Sequence, residues 1–206
     1  MGLILKLNNM AYTPDQFHLL SAGIDYGAMS QFIKEYPEKV KDKVQYGFDL
    51  LWGKEKPKKP VIFGHNGGTR PKDFMSANPP ILLISDKVIQ VLKKEKFTGW
   101  STFSAKVFNK KREEMTGYSG LVVNGRCGPV DESKSPWTTR KARVGEAQVK
   151  VRYGYYFDLK SWDGKDIFCS EGKGTIVITE RVKEALEASK LTNLKLTKAN
   201  EFERMW

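Results

Sequence analysis

The sequence predicts a single α+β domain in which one mixed β-sheet carries two similar strand-helix-strand units, preceded by a helical N-terminal region. Length is the first ground: 206 residues suffice for one sizeable core, which removes roughly 70% of the surface an unfolded chain exposes. Composition is the second, since 40% hydrophobic and 29% charged residues suit a globular chain and are too apolar for disorder. The third is a phrase written twice, "ILLISDKVIQVLKKEKFTGW" at 81–100 and "TIVITERVKEALEASKLTNL" at 175–194.

Residues 1–58 read as an N-terminal region packed on a main domain at 59–206. Within it "LILKL" alternates as a strand does, and "TPDQF" joins a Thr cap to a proline at the first helical position. "YPEKVKDKVQYGFDLLWG" predicts a helix from Pro37 with amphipathic positions Val40, Val44 and Phe48, weakened at Gly47 and ended at Gly53. The polar connector "KEKPKKP" leads to "VIF", a short strand running into "GHNGGTRP". Three glycines there predict a tight loop. Neither GxxxxGK[ST] spacing nor a following helix supports a phosphate-binding loop.

In the repeated phrase an offset of 94 pairs Val88 with Val182, Leu92 with Leu186, Lys96 with Lys190 and Thr98 with Thr192. Each copy opens on an apolar strand. Ser85 or Thr179 is placed to cap the following helix, and Asp86 or Glu180 sits at its positive end. Val88, Val91 and Leu92 share one helix face, as do Val182, Ala185 and Leu186. Gly99 and Asn193 stand where a left-handed residue ends a helix. Strand patterns follow in "STFSAKVF" and "LKLTKA", with further strands at Leu121 to Val123 and around Val149 and Val151, and a turn at "WDG". The shared positions are those that packing demands, so the repetition speaks of a core and not of chemistry.

The net charge of +11 points to an acidic partner, whether nucleic acid, lipid or protein. Basic runs at "KEKPKKP", "NKKR" and "TTRKAR" lack the company of a helix-turn-helix, zinc-finger or RNA-binding signature. No apolar run reaches the roughly 18 to 20 residues that span a bilayer. "MGLILKLNNM" lacks a basic leader and cleavage site, so a cytoplasmic chain is expected. Cys127 and Cys169 form no disulfide framework, and with His65 they match no zinc spacing. Cys127 lies beside Arg126, which could activate a thiol, yet only His18 and His65 could serve as its base. Asp158, Asp163, Asp166 and Glu171 cluster as acid-base candidates, although "DGKD" is also an ordinary turn. No catalytic residue, cofactor or metal is therefore expected. Trp100, Trp137 and Trp162, with Tyr153, Tyr155, Tyr156 and Phe157, are core material that protein interfaces also favour.

"FTGWSTFSAKVF" (97–108), "YSGLVVNGRCGPVD" (118–131), "SWDGKDIF" (161–168) and "IVITERVKEALEASKLTNLKL" (176–196) form a distinctive set. In them the chain resembles a bacterial family of immunity proteins from polymorphic toxin systems, in particular the immunity-like domains of unknown function abundant in myxobacteria. The resemblance covers about residues 79 to 200. It implies a cytoplasmic protein that neutralises a cognate toxin by binding it, with no catalytic residues of its own. A basic inhibitor suits a toxin with an acidic face. The expected contacts are the loop residues Arg126, Asp131, Trp162 and Asp163, because packing already explains the repeated helices. Nucleic-acid binding through the basic runs is the alternative, and an enzyme using Cys127 or the Asp158 to Glu171 carboxylates comes third.

Overall fold

Short β-branched runs broken by Gly, Pro and Asn make strands the commonest regular element of the chain. The computed structural model describes residues 16–23, 25, 27–78, 80–141 and 148–205. In chain order its elements are β1 (Phe17–Ala22), β2 (Ser30–Ile33), α1 (Lys43–Leu51), β3 (Val61–Gly67), β4 (Phe74–Asn78), β5 (Ile81–Ser85), α2 (Asp86–Lys94), β6 (Trp100–Phe108), β7 (Glu114–Met115), β8 (Tyr118–Val123) and β9 (Gly125–Cys127). There follow β10 (Trp137–Lys141), β11 (Gln148–Tyr153), β12 (Ile167–Ser170), β13 (Ile176–Thr179), α3 (Glu180–Ala188), β14 (Leu194–Lys198) and β15 (Glu203–Met205).

The expected single mixed sheet is replaced by three. Strands β3, β2, β4, β5, β8 and β6 lie side by side, and a parallel pairing of β3 with β6 closes them into a six-stranded barrel that β7 extends. A five-stranded sheet runs in the order β14, β1, β13, β12, β9, and a three-stranded one in the order β10, β11, β15. One apolar cluster joins Phe63, Met75, Leu83, Phe103 and Val107 of the barrel to Tyr46 and Leu50 of α1. Phe103 lies across Gly120, its cross-strand partner, where an added Cβ would fall 2.0 Å from the ring. A second cluster, holding Ile84, Val88, Leu92, Ile178, Val182 and Leu186, joins the barrel to the five-stranded sheet.

The two copies of the phrase therefore lie in different sheets, and their surroundings match. β5 and β6 flank β8 with antiparallel pairing on both sides, and β13 and β14 flank β1 in the same way. β4 pairs antiparallel with β5 and parallel with β2, as β12 does with β13 and β9. With residues 17–108 taken as one stretch and 118–198 as the other, each lends its first strand, β1 or β8, to the sheet of the other. Two aspartates fasten the exchange. Asp73 Oδ2 accepts from the amide and the hydroxyl of Thr192, both at 2.8 Å, while its own N–H donates to Thr192 Oγ1 at 2.9 Å. Asp166 Oδ2 accepts from the amide and hydroxyl of Thr98, again both at 2.8 Å, and its N–H donates to Thr98 Oγ1 at 3.2 Å.

The N-terminal region is not simply helical. Phe17, expected in a helix, begins β1, and β2 follows before α1; "LILKL" lies outside the described residues. α1 starts at Lys43 rather than Pro37 because Asp42 caps it, its Oδ1 accepting from Val44 N and Gln45 N at 2.9 Å each. The glycine loop is largely strand, since β3 continues to Gly67. Ser85 caps α2 by accepting from Val88 N at 3.4 Å, whereas the Thr179 side chain makes no cap bond to α3. Thr179 is buried at the end of β13, where its backbone N–H donates to Asp166 O at 3.0 Å.

Replacing Asp73 or Asp166 by alanine removes several charge-assisted bonds and is expected to cost about 2–3 kcal/mol of unfolding free energy in urea melts. Burial works against the charge of Asp73, but hydrogen bonds from Thr192 and Ser85, with the Lys87 charge, hold its carboxyl below the usual value. A depressed folded value means that this stabilisation is present above about pH 4 and is lost as pH falls through the folded value. The stability gap between wild type and Asp73→Asn should accordingly narrow on acidification below about pH 4.

Candidate partner-binding surface

The structure brings together three of the four expected loop residues and gives each a structural task. Arg126, on β9, donates from Nη2 to the Trp52 carbonyl at 2.6 Å and from Nη1 to the carbonyls of Gly125, at 2.7 Å, and Val123. Its backbone N–H donates to Asp163 Oδ2 at 2.9 Å, and Asp163 N–H donates back to the Arg126 carbonyl at 3.0 Å. Trp162 packs edge-on against Phe17, with ring centroids 5.2 Å apart, and its Nε1 donates to the Lys165 carbonyl at 3.0 Å. Asp131 stands apart from these and caps the turn at 132–134, accepting from Ser133 N at 3.1 Å and Ser133 Oγ at 2.6 Å. The Ser133 hydroxyl and the Lys134 ammonium hold its carboxyl below the usual value.

The thiol of Cys127 is buried, with Sγ 3.3 Å from Ser170 Oγ, and burial pushes its pKa up to about 11. That is the opposite of activation, since the thiolate is the nucleophile. His18 is occupied with Glu180 Oε2 at 2.5 Å and His65 with the Gly68 carbonyl at 2.5 Å. Three of the four carboxylates of the 158–171 stretch serve turns and clasps: Asp158 accepts from Lys160 N at 3.0 Å, Asp163 from Arg126 and Lys165, Asp166 from Thr98 and Arg181. Among the described residues no three His, Cys, Asp or Glu side chains are placed to hold a metal ion.

Two of the three exposed aromatic side chains among the described residues lie on the three-stranded sheet. Trp137, at the start of the edge strand β10, is 50% exposed, and Tyr153 on β11 is 38% exposed. The Arg152 guanidinium sits 4.5 Å above the Trp137 ring, its cross-strand partner. Arg152 is in turn steadied by Glu132, to whose carbonyl Nη1 donates and whose Oε2 lies 3.1 Å away. Asp131 therefore belongs to this surface indirectly, because it caps the turn that presents Glu132. Thr139 and Lys150, also cross-strand partners, continue the face that Trp137 and Arg152 begin. The signal in the sequence was the aromatic and basic content of this stretch. That its alternation puts Trp137, Arg152 and Lys150 on one face needs the register.

The sequence model of an immunity protein family, Imm11, matches residues 24–201. The match reaches back over the residues that hold β2 and α1. No curated protein matches the chain.

With its thiol raised to about 11, Cys127 should react with a disulfide reagent at least about tenfold more slowly at neutral pH than a free cysteine does, the smaller thiolate fraction being partly offset by greater nucleophilicity. The check is thiol titration of the Cys169→Ala protein, where the full rate should return on denaturation.

Proposed function

The chain belongs to the immunity protein family Imm11, and from that premise we propose that it neutralises a cognate toxin in the cytoplasm by direct binding, without chemistry of its own. The family match is the observation that carries this reading. Two features of the molecule support it. The candidate nucleophile is buried with a raised pKa, and three of the four acidic candidates, Asp158, Asp163 and Asp166, are engaged in a turn or clasp. One face of the three-stranded sheet presents Trp137 with the Arg152 guanidinium over its ring, and Trp and Arg are types that dominate binding hot spots.

The contact surface we infer centres on Trp137 and Lys150, with Asp131 at its rim. Arg126, Trp162 and Asp163 hold the neighbouring loops in place. A net charge of +11 favours a toxin with an acidic face, which it would steer and then complement. No helix among the described residues is long and apolar enough to cross a membrane.

The test starts with purification of the tagged chain from its host, with and without nuclease, followed by expression of any retained protein in a naive host. Growth arrest by that protein, relieved by this chain, is the expected outcome. Retention of nucleic acid alone, with affinity falling steeply in salt, would replace the proposal with the nucleic-acid reading. Against the purified toxin, Trp137→Ala and Lys150→Glu should each weaken binding by about tenfold or more without lowering the melting temperature.

A further inference from the structure

We propose that a cleft on the outside of the barrel is a second binding site, one that seats an acidic protruding segment of the protein partner. The proposal rests on the immunity reading for the partner's identity, but not for the chemistry of the cleft. Its volume is about 630 Å³, and its walls include Phe32, Lys34, His65, Phe108, Lys110 and Arg112. A space of that size is ordinary for a ligand pocket and takes a few side chains.

Three observations build the site. Phe32 is 39% exposed, and the outer end of its ring lies against Gly64 of β3, its cross-strand partner. A Cβ at residue 64 would stand 2.9 Å from the end of the ring, so the glycine lets the aromatic keep this position in the wall of the cleft. The second is the turn from β6 to β7. Asn109 Oδ1 accepts from the amides of Lys111 and Glu113 at 2.8 and 3.0 Å, and Arg112 is forced to a φ of 66°. Glycine or asparagine would adopt that conformation with less strain, yet an arginine occupies it, beside the cleft. The third is charge. Lys34, just after β2, and Lys110 and Arg112, in the turn from β6 to β7, all line the cleft, and among the described residues no carboxylate does. Glu35 and Glu113 directly follow Lys34 and Arg112 in the chain; neither is among the lining residues, and Glu113 has Oε2 tied to Asn109 Nδ2 at 2.8 Å. His65 is fixed as well: its Nε2 carries the hydrogen, because the Gly68 carbonyl it meets can only accept.

Cations around two phenylalanine rings call for a carboxylate with an apolar neighbour, which an acidic loop supplies. A nucleic-acid strand would need the cations to continue as a track along its backbone. The cations instead converge on one concavity.

The experiment is a backbone-amide NMR titration of the full chain with a capped Asp/Glu-rich peptide carrying one leucine, and in parallel with a short single-stranded RNA. Saturable shifts confined to Phe32, Gly64 and residues 109–112 are expected for the peptide. They should weaken at least tenfold in the Lys34→Glu, Arg112→Glu double variant, at unchanged melting temperature. Absence of shifts, shifts scattered over the surface, or displacement of the peptide by a tighter-binding RNA overturns the proposal. Cellular neutralisation separates the two readings. If the wild type neutralises its toxin and the double variant does so equally, the cleft fails and the immunity reading stands. If the wild type does not neutralise, the immunity reading fails and the titration alone decides the cleft.

Discussion

The exchange of first strands between two matching stretches is the constraint on which the rest of this structure depends. β1 is sandwiched between β13 and β14, and β8 between β5 and β6, so neither sheet can be completed without chain from the other. The apolar surface thus shared is large, because the cluster at the junction draws Ile84 and Val88 from one stretch and Ile178 and Val182 from the other. Hydrophobic burial alone tolerates sliding. The reciprocal clasps of Asp73 on Thr192 and Asp166 on Thr98 oppose it, since each requires an amide, a hydroxyl and a carboxylate to meet at one register.

Where the two stretches differ, the difference lies in what is inserted before β4 and β12. The first insertion supplies α1 and β3, and β3 closes the barrel. The second supplies the β10–β11 hairpin, which pairs with β15. Both proposed binding surfaces involve these insertions, with Gly64 and His65 on β3 in one and Trp137, Lys150 and Arg152 on the hairpin in the other. A frame whose positions are committed to packing leaves the inserted segments as the place where surface chemistry can vary at little cost to folding.

Much of the local structure was legible in single residues. Ser85 caps α2 and Gly53 follows α1 at a φ of 68°, as short-range rules require. The failures share a cause. Pro37 marks a turn rather than a helix start, because Val40 N donates to its carbonyl at 2.9 Å and Asp42 makes the stronger cap further on. Thr179 has the right residue type to cap α3, yet burial at a strand end fixes its side chain elsewhere. Arg126, Trp162 and Asp163, singled out in the sequence as loop contacts, lie together in the structure, where Asp163 binds the Arg126 backbone and Trp162 packs on Phe17.

The sequence by itself determined the α and β content, the doubled phrase and the basic charge. These follow from residue spacing and composition, which act over a few positions or over the whole surface. Only the tertiary structure decided that the doubled phrase is split between two sheets, that Asp73 and Asp166 fasten each to the other, and that Trp137 shares a face with Arg152 and Lys150. The reason is physical. A strand carries its pleat in its own sequence, but its neighbour and register are set by backbone hydrogen bonds, which are nearly identical for every residue and become specific only when the whole core is packed.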